Sequence, residues 1–264
     1  MRRDLAPPGP PPQGGTSPLK RKMRTRIFVA IGAFVAVVAL AGGAGYVYYF
    51  SGLRSAPAQL GLSATPTATT SPTTTPAAPA SLTGSWTVTT GSVAGYRIKE
   101  LFVGQASKHE AVARTTTVSG GLTVSGDSSG YQVSSLTFTA GLTSLHSVDS
   151  VAGRDVTQRD GVVSRQLDVQ QFPNATFTAT SVSVPGAISS QAVDVTVTGK
   201  LTIHGVTKDV TVKAKAQLAG NKAEIAGSTS IVMTDYGVSP PQVPFVTVDS
   251  TLLIEFDIFL TRSA

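Results

Sequence analysis

Four charged side chains, Arg159, Asp160, Arg165 and Asp168, fall within one short stretch, RDGVVSRQLDVQQFPNATF at 159–177. Arginine presents a planar fork of donors suited to a bidentate acceptor such as a phosphate, so Arg159 and Arg165 are candidate ligand contacts. The same spacing also serves a helix. Asp155 to Arg159 is an i,i+4 pair and Arg165 to Asp168 an i,i+3 pair, each contributing about 0.3 kcal/mol. Other chemistry is poorly supplied. The chain has no cysteine, which removes disulfides, thiolate nucleophiles and Cys-ligated metals. Its three histidines, His109, His146 and His204, have no H-x-x-x-H or H-E-x-x-H spacing, so no metal site is expected. No G-x-S-x-G elbow places a serine for nucleophilic attack, and no catalytic residues are assigned: the chain reads as a binding protein, not an enzyme. His204 reads as a solvated turn residue, and Asn174-Ala175-Thr176 matches an N-glycosylation triplet.

The elements that must position these residues are strands. From residue 82 to 264 apolar and polar residues alternate repeatedly with period two, punctuated by Gly, Ser and Pro. Between 246 and 260 the even positions (Val246, Val248, Ser250, Leu252, Ile254, Phe256, Ile258, Leu260) are apolar save Ser250, while Asp249, Glu255 and Asp257 fall on the odd face. Val193, Val195 and Val197 likewise oppose Asp194, Thr196 and Thr198, and after a turn at His204-Gly205 a return strand carries Val210, Val212, Ala214 and Ala216. Further strands are expected at 85–89, 96–102, 111–118, 122–125, 131–142, 176–184 and 223–233. Helical signal is confined to 154–168, and Phe172-Pro173 is expected to stop that helix and start the next strand. Such a set of antiparallel strands must close into a barrel or pack as a sandwich, because open edges invite aggregation. The inward residues are often Ala, Val, Thr or Ser, which favours a barrel with space inside. The expected apolar lining is Phe102, Leu136, Phe138, Phe177, Val195, Val212, Ile231, Ile254 and Phe256. If the rings of Phe102, Phe138, Phe177 and Phe256 instead close the gap, the alternative is an anchored structural or adhesive β domain with a filled core and no ligand.

The stretch at 159–177, with Arg159, Asp160, Arg165, Asp168, Phe172, Pro173 and Phe177, together with GKLTIHGVTKDVTV at 199–212, resembles the YceI-like family. The resemblance extends over about 86–262 and includes Trp86 and the run Gly95-Tyr96-Arg97-Ile98 near its start. Two departures stand out: 148–156 is longer than the pattern, and Arg154-Asp155 duplicates the Arg-Asp pair. The resemblance implies an all-β, lipocalin-like, antiparallel up-and-down β-barrel with one short helix, secreted or periplasmic, holding an isoprenoid lipid. It implies no cofactor beyond that lipid.

Ahead of this domain, residues 1–26 hold seven Lys or Arg against one acid, which accounts for the whole formal charge of +6. From 82 onward there are 13 Lys or Arg against 14 Asp or Glu, so the domain has no basic excess for a nucleic acid. Residues 1–26 read as a disordered, Pro-rich, basic cytoplasmic tail. Residues 27–50, IFVAIGAFVAVVALAGGAGYVYYF, are 24 uncharged positions; as a helix they would span about 36 Å against a hydrocarbon core of about 30 Å, which predicts a single transmembrane helix. Lys20, Arg21, Lys22, Arg24 and Arg26 on the near side, against Arg54 alone beyond it, predict a cytoplasmic N-terminus and an extracytoplasmic C-terminal domain. Residues 51–81 read as a Thr/Pro-rich linker, whose 64–81 portion has the composition of an O-glycosylated stalk. The expected partners are a lipid ligand and the membrane.

Overall fold

A computed structural model describes Gly9 and residues 54–63, 82–105, 107–127, 130–151, 153–184 and 191–263. The expected tail, the transmembrane helix at 27–50 and the stalk at 64–81 lie outside the described residues. No described helix is long and apolar enough to cross a membrane. The described elements, in the unit from Arg54 to Ala264, are β1 (Arg54–Ser55), β2 (Gly84–Val88), β3 (Val93–Phe102), β4 (His109–Thr115), β5 (Val118–Asp127), β6 (Gly130–Gly141), β7 (His146–Ser147), β8 (Ser150–Val151), helix α1 (Gln158–Gln166), β9 (Asn174–Ala179), β10 (Val182–Val184), β11 (Val193–Ile203), β12 (Val206–Ala219), β13 (Lys222–Val232), a 3-10 turn (Met233–Tyr236) and β14 (Val246–Arg262).

Barrel or sandwich is settled by one pairing. The strands run β13-β12-β11-β9-β6-β5-β2-β14, and β14 then pairs back onto β13 from Lys222↔Thr261 to Val232↔Thr251, closing an eight-stranded antiparallel ring. The 17-residue β14 is the seam. Its other edge is shared by β2, opposite Leu260–Arg262, and β3, opposite Val246–Asp257. Ser92 fills the break between them, where its hydroxyl accepts from Phe259 N (2.9 Å) and donates to Thr89 O (2.9 Å). Beyond that break β4 pairs with β3 on one side and with the two-residue β7 on the other, while β5 pairs with β6. The even face of β14 is inward as the alternation predicts: Ile258 and Leu260 are buried, and Ile225 and Ile231 of β13 sit opposite Ile258 and Leu252.

The odd face of β14 is not uniformly wet. Glu255 is fully buried, because residues 54–63 run along the outside of the barrel and cover it. Arg97 Nε donates to Glu255 Oε2 (2.6 Å), and Arg114 Nη2 to Glu255 Oε1 (2.9 Å). The same guanidiniums donate to the carbonyls of Pro57 and Ala58, both at 2.6 Å. Leu60 N donates to Glu255 Oε2 (3.0 Å), and Ser63 N to Glu224 Oε1. This segment, assigned from sequence to the 51–81 linker, is therefore a strap bound to the barrel wall. Most of these contacts are backbone groups meeting side chains, which leave no periodic trace in its own sequence.

Helix α1 is shorter than the 154–168 expectation. Asp155 Oδ1 accepts from Thr157 N (3.0 Å) and Thr157 Oγ1 (2.5 Å), holding the residues before α1 in a turn. At the other end Asp168 adopts φ 43°, and its carbonyl accepts from Phe172 N (2.8 Å). Phe172-Pro173 thus leads into β9 as expected but does not stop the helix, which ends at Gln166.

Candidate functional site

The two sequence signatures meet in space, and glycines make the meeting possible. A Cβ on Gly199 would lie 2.5 Å from the Phe177 ring, and one on Gly205, at φ +74°, would lie 2.6 Å from the Phe172 ring. His204 is not the solvated residue expected. It is half-buried at φ 51°, packs edge-on against Phe172 with centroids 5.0 Å apart, and its Nδ1 donates to Tyr236 O (3.3 Å). The β11–β12 turn is thereby latched to the end of the α1 loop.

Two cavities occupy the interior. One, of about 200 Å³, lies within the barrel wall and is lined by Leu136, Phe138, Phe177, Val195, Val212, Ile254 and Phe256 among others; its polar side chains are Trp86, Tyr131, Thr139, Gln217 and Thr229. The other, of about 570 Å³, lies beneath α1 and is lined by Phe102, Ile231, Ile254, Val162, Val163 and Leu167, together with Tyr96, Glu100, Arg154, Arg159 and Tyr236. Ala94, Ala140, Ala175 and Ile254 line both, so a barrel chamber and a helix chamber abut at a neck of mostly small residues. All nine residues expected to line the interior do so. The rings of Phe102, Phe138, Phe177 and Phe256 form walls and leave this space between them.

The two arginines part company. Arg165 is exposed on α1 and lines neither chamber. Arg159 lines the helix chamber but is already engaged. Its Nη1 donates to Asp149 Oδ1 (2.7 Å) and Ser147 Oγ (3.2 Å), and its Nη2 to Glu100 Oε1 (2.7 Å) and Asp149 Oδ2 (3.2 Å). Its partners are thus Asp149 and Glu100 rather than Asp155. Asp160 Oδ1 accepts from Ser147 N (2.9 Å) and Oγ (2.6 Å), so the Arg-Asp pair clamps α1 onto the β7–β8 segment.

Burial would raise the Asp149 carboxyl, yet hydrogen bonds from His109 Nε2 (2.6 Å), Arg159 and Val112 N (3.0 Å) overcome it and hold the group well below the usual carboxylate range. Burial wins at Glu100, whose carboxyl is pushed up despite Arg159 and His109. Burial also raises the Arg159 network's neighbour Tyr96, only partly opposed by the Arg159 charge.

Sequence reading took the inward positions as nearly all apolar, and it missed Tyr96, Glu100, His109 and Asp149. The signal for two of them was present: in β3 the even residues Ala94, Tyr96, Ile98, Glu100 and Phe102 share one face, so Glu100 was inward by parity. Asp149 lies in an irregular connection and had no such signal. Among the described residues no cluster of His, Asp and Glu has the makings of a metal site.

A family model described as "YceI-like domain" matches residues 67–260. Among relatives, a UPF0312 protein of Pseudomonas putida (strain F1) is 36% identical over 95 residues, 34% of this chain and 47% of that protein. A UPF0312 protein of Pseudomonas syringae pv. tomato is 32% identical over 106 residues, 37% of this chain and 53% of that protein. The chain spans about half the length of the relatives it matches. Of solved structures, a polyisoprenoid binding domain from Saccharophagus degradans is 17% identical, with a TM-score of 0.48 over 67% of this chain and 98% of that one. Burkholderia cenocepacia BcnA is 18% identical, with a TM-score of 0.43 over 62% of this chain and 95% of that one. With the family match covering most of its length, and an eight-stranded barrel capped by one helix carrying both signatures, the chain belongs to the YceI-like domain family.

Proposed function

We propose that this protein holds a long apolar lipid, of isoprenoid or quinone type, in its two joined chambers and acts as a carrier or buffer without turnover. The observation that carries the reading is the pair of abutting cavities of about 200 and about 570 Å³, lined mainly by aliphatic and aromatic side chains. Water entering the barrel chamber finds few partners there, whereas a hydrocarbon chain loses nothing. Burial is worth about 25 cal/mol per Å², so a chain hiding about 300 Å² of its surface gains about 7 kcal/mol with no directional contact. The apolar segment at 27–50 would tether the domain at the outer face of a membrane, next to a source of such lipids.

The test is to express the full-length protein in a lipid-containing host, purify it in mild detergent, and combine native mass spectrometry with organic extraction. A reproducible apolar adduct is expected. Protein that emerges at its bare mass and takes up no added polyprenyl lipid would sink the reading.

A further inference from the structure

Two phenolic hydroxyls in the helix chamber have no hydrogen-bond partner among the described residues. Tyr96 reaches the chamber from β3, and its hydroxyl meets no protein acceptor. Tyr236, at the end of the 3-10 turn, is 2% exposed, and its Oη is sealed from solvent without a partner. They approach one place from two directions: Tyr96 sits opposite Ile254 in the β3–β14 register, and Tyr236 belongs to the cluster packed against Ile254, a residue of the neck. Buried polar groups are nearly always paired, and an unpaired one costs about 1–3 kcal/mol.

The charges around them are already balanced. Arg159 is bound by Asp149 and Glu100, and Glu100 itself faces the chamber. Arg154, the other guanidinium in the lining, is exposed and stacked over the Phe102 ring at 4.3 Å. A phosphate entering here would surrender its hydration, meet the Glu100 carboxylate and find Arg159 engaged. An uncharged oxygen that only accepts would satisfy a phenol without disturbing the ion pairs. Burial raises the hydroxyls of both Tyr96 and Tyr236, so both stay protonated donors at physiological pH.

We propose that Tyr96, with Tyr236 as a second donor, hydrogen-bonds an uncharged carbonyl oxygen on the lipid's head in the helix chamber while its tail passes the alanine neck into the barrel chamber. The assignment rests on the lipid-binding reading above and narrows it: a quinone or ester carbonyl is accepted, and a polyprenyl phosphate is not.

The experiment uses full-length, delipidated protein and four probes sharing one geranylgeranyl chain: a 1,4-benzoquinone, a methyl ester, the bare hydrocarbon and the monophosphate. Trp86 is the sole tryptophan and lines the barrel chamber, so its emission reports arrival of the tail in every arm. The two carbonyl probes are expected to bind about three- to tenfold tighter than the hydrocarbon, the worth of a neutral hydrogen bond, and the phosphate no tighter than the hydrocarbon. Tyr96→Phe is expected to shrink the carbonyl advantage to under about twofold while leaving the hydrocarbon unchanged. The ratio of quinone to ester tells which carbonyl class is preferred. The assignment is overturned if the phosphate matches the quinone on wild-type protein, or if Tyr96→Phe and Tyr236→Phe both keep the carbonyl advantage. Hydrocarbon binding without any carbonyl preference overturns this assignment alone, whereas no binding in all four arms overturns the lipid reading with it.

Discussion

Arg159 serves the fold before it serves any ligand. It is one side chain holding two carboxylates, Asp149 and Glu100, inside the protein, and Asp149 in turn orients His109. Arg159→Ala leaves both carboxylates without their cation, and a loss of about 3–5 kcal/mol is expected in urea unfolding. Arg165→Ala, from an exposed position on the same helix, is expected to change stability by less than about 0.5 kcal/mol. Equal losses at the two sites would show that the Arg159 cluster carries no special weight. Gly205 is a second decisive residue: its φ of +74° and the Phe172 ring within reach of any Cβ predict that Gly205→Ala costs about 1–3 kcal/mol, read from the same unfolding curves.

The strap at 54–63 is held by Arg97, Arg114, Glu255 and Glu224 on the outer wall, and pH should act on it there. Asp257 lies beside this line, its carboxyl pushed up to about 7 by burial and then by Glu224, with Oδ1 sealed and unpartnered. Its folded value stands above its ordinary 3.8. The stability contributed by its protonated form is therefore fully present below about pH 4 and is lost as pH rises through about 7. Asp257→Asn, which keeps the shape without the charge, is expected to raise the melting temperature at pH 8 and to leave it nearly unchanged at pH 4. A melting curve at pH 8 that does not respond to the substitution would show that Asp257 is not desolvated in solution. Glu255→Gln weakens both guanidinium contacts, and proteolysis should then reach 54–63 faster than in the wild type.

For the molecule as a whole, the proposed lipid reading makes the neck the point that decides how much of a chain fits. Ala94, Ala140 and Ala175 stand where the chambers join, and filling that point separates them. Ala140→Phe is expected to leave the barrel folded but to lower the mass of lipid recovered per protein, because the barrel chamber is cut off. Unchanged adduct masses in native spectra would mean that the chain does not pass the neck. The closure that creates the chambers depends on β14, which pairs with β13 on one edge and with β2 and β3 on the other.

Alternation of residue type was enough to place most of the long strands and their apolar faces, because side chains on a strand take opposite faces in turn, but it ran β9 and β10 together at 176–184, where Ser181 at φ 64° breaks the strand. The same logic, applied to β3, would have placed Glu100 inward, although its meaning needed a partner. Tertiary structure alone decided three things. Closure came from the β13–β14 pairing, a contact between strands whose register no local pattern records. The destination of Arg159 came from Asp149, in an irregular stretch without periodicity, rather than from Asp155 one helical turn away. The docking of 54–63 came from backbone carbonyls and amides meeting Arg97, Arg114 and Glu255, and every residue has such groups, so composition cannot announce where they bind. Local periodicity therefore reports which face a residue takes, while long-range pairing reports what it meets there.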